Sequence, residues 1–158
     1  MANPYVLDVS TFLPIPIERV FPFFADARNL EAITPTSLHF HIVTPMPVEM
    51  RPGLMIDYKL RMRGIPMTWR SEITAYDPPH SFVDEQRKGP YKLWRHEHFF
   101  EPANGPGGVV GTRVRDRVSY IPRGGPLIHK LFVRPELEKI FAHRQEVILE
   151  LLTAKAKA

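Results

Sequence analysis

The feature that most constrains the fold is the heptapeptide Trp94-Arg95-His96-Glu97-His98-Phe99-Phe100, whose residues sort by odd and even position. In an extended segment Trp94, His96, His98 and Phe100 leave one face, and Arg95, Glu97 and Phe99 leave the other. The spacing predicts a β-strand with a water-facing side and an inward side. That inward side is unusual because two imidazoles share it with Trp and Phe. Polar rings facing a core need partners or solvent. The strand therefore implies a pocket, with the rest of the chain built around it.

The same alternation recurs along the chain. Tyr5 to Leu13 reads as a first strand, stopped by Pro14 and Pro16. Ile17, Val20, Phe21, Phe23 and Phe24 then fall at helical spacings, and Asp26 is placed to cap a second short helix over 27–33. Leu38 to Val43 reads as a second strand, with His39 and His41 on its exposed side. A third runs from Leu54 to Met62. Arg63-Gly64 suits a two-residue hairpin turn, which sets Met62 opposite Ile65, Leu60 opposite Met67, Tyr58 opposite Trp69 and Ile56 opposite Ser71. On the outer face this register sets Asp57 against Arg70, so apolar pairs fall inside and an opposite-charge pair outside. The fourth strand ends at Asp77-Pro78-Pro79. The fifth spans 81–87, with Asp84 and Gln86 sharing the inward parity of Trp94.

A turn at Asn104-Gly105-Pro106-Gly107-Gly108 leads to a seventh strand, 109–121. There Arg113, Arg115 and Arg117 take the water side, leaving Asp116 among Val114, Val118 and Tyr120. Closing the turn about Pro106 puts His96 opposite Asp116, His98 opposite Val114 and Trp94 opposite Val118. Beyond Gly124-Gly125-Pro126, Leu127, Ile128, Leu131 and Phe132 form a short apolar helix. Pro135 imposes a kink or restart. The helix that follows, about 20 residues long, carries a wide apolar stripe interrupted by Arg144. His80, His129 and His143 look unremarkable.

Composition sets the bounds. A chain of 158 residues forms one domain, 1–158, with a sizeable core. Without cysteine there are no disulfides, thiolate metal sites or cysteine nucleophiles. The N-terminus shows no secretory pattern, and no stretch reaches the roughly 18 apolar residues of a spanning helix, so a cytoplasmic protein without stable membrane insertion is expected. The net charge of +4 is spread over outward rows that also carry Asp57, Glu72 and Glu97, which describes a solvated sheet face and no nucleic-acid partner. Oligomeric state leaves no sequence signature.

This order is a strand, two short helices, six strands and a long C-terminal helix. It resembles the helix-grip fold of the START-like (SRPBCC) superfamily, which includes the polyketide cyclase/dehydrase and lipid-transport family. The resemblance spans nearly the whole chain. It is carried by Ile15-Pro16-Ile17-Glu18-Arg19-Val20-Phe21-Pro22-Phe23-Phe24, by Asn29-Leu30-Glu31-Ala32-Ile33-Thr34-Pro35, and by the segment from Phe82 through Gly89-Pro90 to Phe100. Arg113 to Tyr120 and Ile140-Phe141-Ala142-His143-Arg144 add to it. It implies an α+β fold, a curved seven-stranded antiparallel sheet around the C-terminal helix, with a cavity between them. It also implies a small hydrophobic or amphipathic ligand and no cofactor.

Three readings fit the inward polar set. The residues satisfy one another in a packed core, with a His donating to Asp116 and Arg144 pairing the carboxylate. Alternatively they orient a guest in a cavity of several hundred Å3, with Tyr58, Trp69, Gln86, Trp94, His96, His98, Phe100, Asp116, Tyr120 and Arg144 as ligand-binding residues. Its walls would be Leu60, Met62, Met67, Phe100, Val114, Val118, Ile140, Phe141 and Ile148. Thirdly, His96 or His98 with Asp116 forms the acid–base pair of a cyclase or dehydratase. His-x-His with Asp116 also matches a two-His, one-carboxylate metal set, but the spacing is common and no metal is expected. A non-enzymatic partner-binding regulator would instead show a filled interior and an apolar outer patch.

Overall fold

The computed structural model describes residues 3–157, with side chains through 154. Seven strands, β1 (Tyr5–Leu13), β2 (His41–Ile42), β3 (Met55–Met62), β4 (Ile65–Asp77), β5 (Ser81–Lys88), β6 (Leu93–Asn104) and β7 (Val110–Ile121), form one antiparallel sheet. Their order is β1-β7-β6-β5-β4-β3-β2. Two short helices, α1 (Ile17–Ala25) and α2 (Asn29–Ala32), separate β1 from β2. After β7 a short helix α3 (Gly125–Ile128) runs through a π-helical turn (His129–Val133) into α4 (Arg134–Lys157). No helix among the described residues is long and apolar enough to cross a membrane.

The β3–β4 hairpin adopts the register expected from its sequence, from Met62 opposite Ile65 to Ile56 opposite Ser71. Arg63 (φ 53°) and Gly64 (φ 78°) both take left-handed conformations, as a two-residue primed turn requires. Outside, Arg70 Nε donates to Asp57 Oδ1 at 2.8 Å. Irregular register between β4 and β5 near Arg70/Ser71 and Ile73/Ala75 bends the sheet at its middle.

Three expectations are corrected. The second strand shrinks to His41–Ile42, because Thr36–Leu38 forms a 3-10 turn and His39 (φ 46°) is left-handed. The β6–β7 turn pivots on Gly107 (φ 71°) and not on Pro106, which shifts the register by two residues. His98 therefore lies opposite Asp116, His96 opposite Val118, Trp94 opposite Tyr120 and Phe100 opposite Val114. Parity survives the shift, so the inward set is unchanged. Finally, His129 is buried: it stacks on Tyr5 at 3.6 Å, and Tyr120 Oη and His129 Nε2 are hydrogen-bonded at 2.8 Å. This contact anchors the π-helical turn, and α4 restarts at Arg134-Pro135.

Three apolar clusters hold the molecule together. Phe21, Phe82 and Phe100 join α1 to the sheet and to Ile148 and Leu152 of α4. Tyr91, Trp94 and Tyr120 meet Leu137 and Phe141 near the start of α4. Ala27, Ile42, Ile56 and Tyr58 close the third side.

Candidate functional site

A cavity of about 180 Å3 lies where the three clusters meet. It is bounded by α1 and α2 through Phe23, Phe24 and Leu30, by β3 and β4 through Ile56, Tyr58, Leu60 and Trp69, and by α4 through Leu137, Ile140 and Phe141. Its lining is predominantly apolar. Its size falls below the several hundred Å3 expected, because aromatic rings fill the interior. Trp69 packs edge-on against Trp94 at 5.3 Å, and Tyr91 lies 4.8 Å from Trp94.

One stretch of the lining is polar. Asp84 of β5, His96 and His98 of β6 and Arg144 of α4 reach the cavity, with Asp116 of β7 behind them. Directly opposite pairs in the sheet are Asp84 with His96 and His98 with Asp116. The hydrogen bonds run along the diagonals instead: His96 Nε2 to Asp116 Oδ1 at 2.8 Å and His98 Nε2 to Asp84 Oδ2 at 2.7 Å. These crossed bonds stack the two imidazoles at 3.7 Å, and His98 also stacks on Phe82 at 4.1 Å.

The electrostatics assign the protons. Burial alone would raise the Asp116 pKa, but Arg144, 3.9 Å away, and the His96 bond outweigh it and hold the carboxyl well below the usual range. Asp84 is likewise lowered despite burial, chiefly by the His98 bond. Both carboxylates are therefore acceptors, and each His donates from Nε2. Burial, with His96 adding to it, pushes His98 down to about 4, so His98 is neutral at physiological pH. His98 Nδ1 and Arg144 Nε are buried without hydrogen-bond partners among the described residues. Burial also raises the Tyr58 and Tyr91 phenols.

Asp84, His96 and His98 offer three potential metal ligands within 4.8 Å of one another. The imidazole lone pairs lie in the ring planes, and the stacked rings are only 24° from parallel. Both cannot aim at one ion until a ring turns and gives up its carboxylate bond.

Of the expected binding residues, Tyr58, Trp69, Trp94, His96, His98 and Arg144 line the cavity. The other four stand elsewhere. Gln86 pins the β5–β6 turn, its Nε2 donating to the Tyr91 carbonyl and its Oε1 accepting from the Tyr91 N–H. Phe100 belongs to the α1 cluster, Tyr120 is tied to His129, and Asp116 supports His96. Among the expected walls, Leu60, Met62, Ile140 and Phe141 are in the lining, whereas Met67, Phe100, Val114, Val118 and Ile148 are not. Asp84 has the inward parity read from the sequence, but nothing there made it the second carboxylate of the array. Tyr91 follows a turn, where alternation gives no signal.

The profile of the polyketide cyclase / dehydrase and lipid transport family matches residues 13–146. No curated protein matches the sequence. Among solved structures, the ZhuI aromatase/cyclase from Streptomyces sp. R1128 is similar with a TM-score of 0.72 at 14% identity, covering 99% of this chain and 98% of that one. Protein Ms6760 from Mycobacterium smegmatis has a TM-score of 0.70 at 21% identity, with 97% of each chain covered. Major latex-like protein 151 from Panax ginseng has a TM-score of 0.66 at 13% identity, covering 94% and 97%. At these identities the likeness is one of fold.

Proposed function

The chain belongs to the polyketide cyclase/dehydrase and lipid transport family, and from that premise we propose that it binds a compact hydrophobic or amphipathic molecule between its sheet and α4. The observation that carries this reading is an apolar cavity that ends on one buried polar array, Asp84, His96, His98 and Arg144. Such an arrangement gives a guest area to bury and a few fixed groups to orient its polar end. Size narrows the class. An apolar cavity of about 150 Å3 holds benzene, so about 180 Å3 suits one substituted ring or a short acyl chain. The proposed partner is a small molecule; on the outer face of the sheet the row Arg113, Arg115 and Arg117 pairs with Glu101, Asp8 and Glu97, as a solvated sheet face does.

Trp69 and Trp94 are the only tryptophans, and both line the cavity. Titration with a series of 4-alkylphenols should give a saturable change in intrinsic fluorescence, and native mass spectrometry should show one bound molecule per chain. Absence of both responses would overturn the reading.

A second reading, proton transfer to or from a bound carbonyl compound, is favoured by the buried 2.8 Å His96–Asp116 bond beside the cavity. Its test is solvent deuterium incorporation into a small 1,3-diketone. The wild type should accelerate exchange over buffer and His96→Gln should not; equal rates would remove the catalytic role.

A further inference from the structure

We propose that the protein docks reversibly on anionic lipid surfaces through the tip of the β3–β4 hairpin and the segment leading into α4. Leu127, Leu131 and Ile65 are 67%, 55% and 59% exposed, and Phe132 and Ile128 are about 40% exposed. The hairpin tip meets this segment, because Arg63 sits over the Phe132 ring at 4.3 Å and pairs with Glu136 at 3.7 Å. Exposed apolar side chains gathered in this way mark a contact surface.

The surrounding charge identifies the occupant. Residues 58–71 and 122–135 contain no Asp or Glu, while Arg61, Arg63, Arg123, Lys130 and Arg134 lie in them. Arg63 and Arg134 are paired, to Glu136 and Glu138. Arg61, Arg123 and Lys130 are exposed and have no ion-pair partner among the described residues. Exposed apolar side chains beside an uncompensated basic rim match the headgroup region of an anionic bilayer, which takes the former into its acyl boundary and the latter at its phosphates. A second copy fits poorly, since a two-fold interface would set this rim against itself. The patch also adjoins the cavity: Met62, just before the hairpin tip, and Leu137, five residues after Phe132, both line it. A hydrophobic guest held in a bilayer would then meet the protein next to its binding site.

The test is co-sedimentation of the full chain with vesicles of phosphatidylcholine alone or mixed with phosphatidylglycerol. Binding should appear with the mixed vesicles and fall with added salt. Arg123→Glu/Lys130→Glu should weaken it roughly fivefold or more per charge. Leu127→Ser/Leu131→Ser should weaken it at least tenfold without changing the thermal midpoint. No binding to the mixed vesicles would overturn the proposal, as would binding that the serine variant leaves intact, which is adsorption by charge alone. A dimer in sedimentation that the serine variant dissolves would also overturn it. Alkylphenol titration of the serine variant without vesicles keeps the two ideas apart: it should match the wild type whether or not the surface binds lipid.

Discussion

Asp116 is the residue on which the buried charges converge, because it accepts from His96 and faces Arg144 with both nearly out of water. Removing its charge takes away the ion-pair partner of Arg144 and leaves only the Asp84 carboxylate to offset that buried cation, the costly half of a broken pair. Asp116→Asn should therefore destabilise by about 3 kcal/mol in urea unfolding, and Asp116→Asn/Arg144→Met should recover most of the loss. A double variant no better than the single would mean that the two residues are not coupled. His98 gives the array a pH signature. Its folded pKa of about 4 lies below the ordinary 6.5, so the unfolded chain takes up the proton first. The stabilisation from keeping it neutral is complete above about pH 6.5 and is lost as pH falls toward 4, amounting to about 3 kcal/mol at full extent. Asp84 and Asp116, both lowered, keep their contribution above the ordinary carboxylate range and lose it only at more acidic pH. Urea midpoints measured between pH 7 and 4 should fall steeply for the wild type and much less for His98→Gln. Equal slopes would assign the acid sensitivity elsewhere.

At the scale of elements, legibility in the sequence followed the density of constraint. The β3–β4 hairpin was readable because its two-residue turn leaves one register that pairs apolar with apolar and Asp57 with Arg70. The β6–β7 turn was not, since the five residues 104–108 carry three glycines and several pivots are sterically open. Parity survived the two-residue error because a strand's faces repeat every two residues, so the inward membership of His96, His98 and Asp116 was readable while their pairing was not. The diagonal bonds, and Asp84 as the second carboxylate, depend on distances across three strands that alternation does not encode. His129 was missed for a related reason. Its burial comes from Tyr5 on β1, far away in sequence, and from Tyr120 on β7, nine residues back across the Gly124-Gly125 turn where neither period applies. The hairpin offers a test at this scale. Gly64 has φ 78°, where a Cβ is strained even though nothing lies within 4 Å of one built there. Gly64→Ala should cost about 1 kcal/mol, or roughly 3 °C in thermal midpoint for a chain of this size. No change would show that the turn relaxes to another type.

At the scale of the whole molecule, the sheet bends around α4 and its two ends are sealed by different clusters, with the cavity between them. An interior left unfilled gives up dispersion contacts, and loss of that packing is tolerated only where something else is gained. If the void exists to receive a guest, filling it from the chain's own side should raise stability while abolishing binding. Ile140 on α4 is suited to this because it lines the cavity and is half-buried, so a larger ring there meets space before it meets packed core. Ile140→Trp should raise the thermal midpoint by a few degrees, corresponding to about 1 kcal/mol of recovered burial. The same variant should weaken alkylphenol binding at least tenfold, with the new tryptophan shielded from acrylamide quenching. A lower midpoint with binding intact would mean that the guest sits away from α4. A higher midpoint with binding intact would separate the void from the binding site altogether.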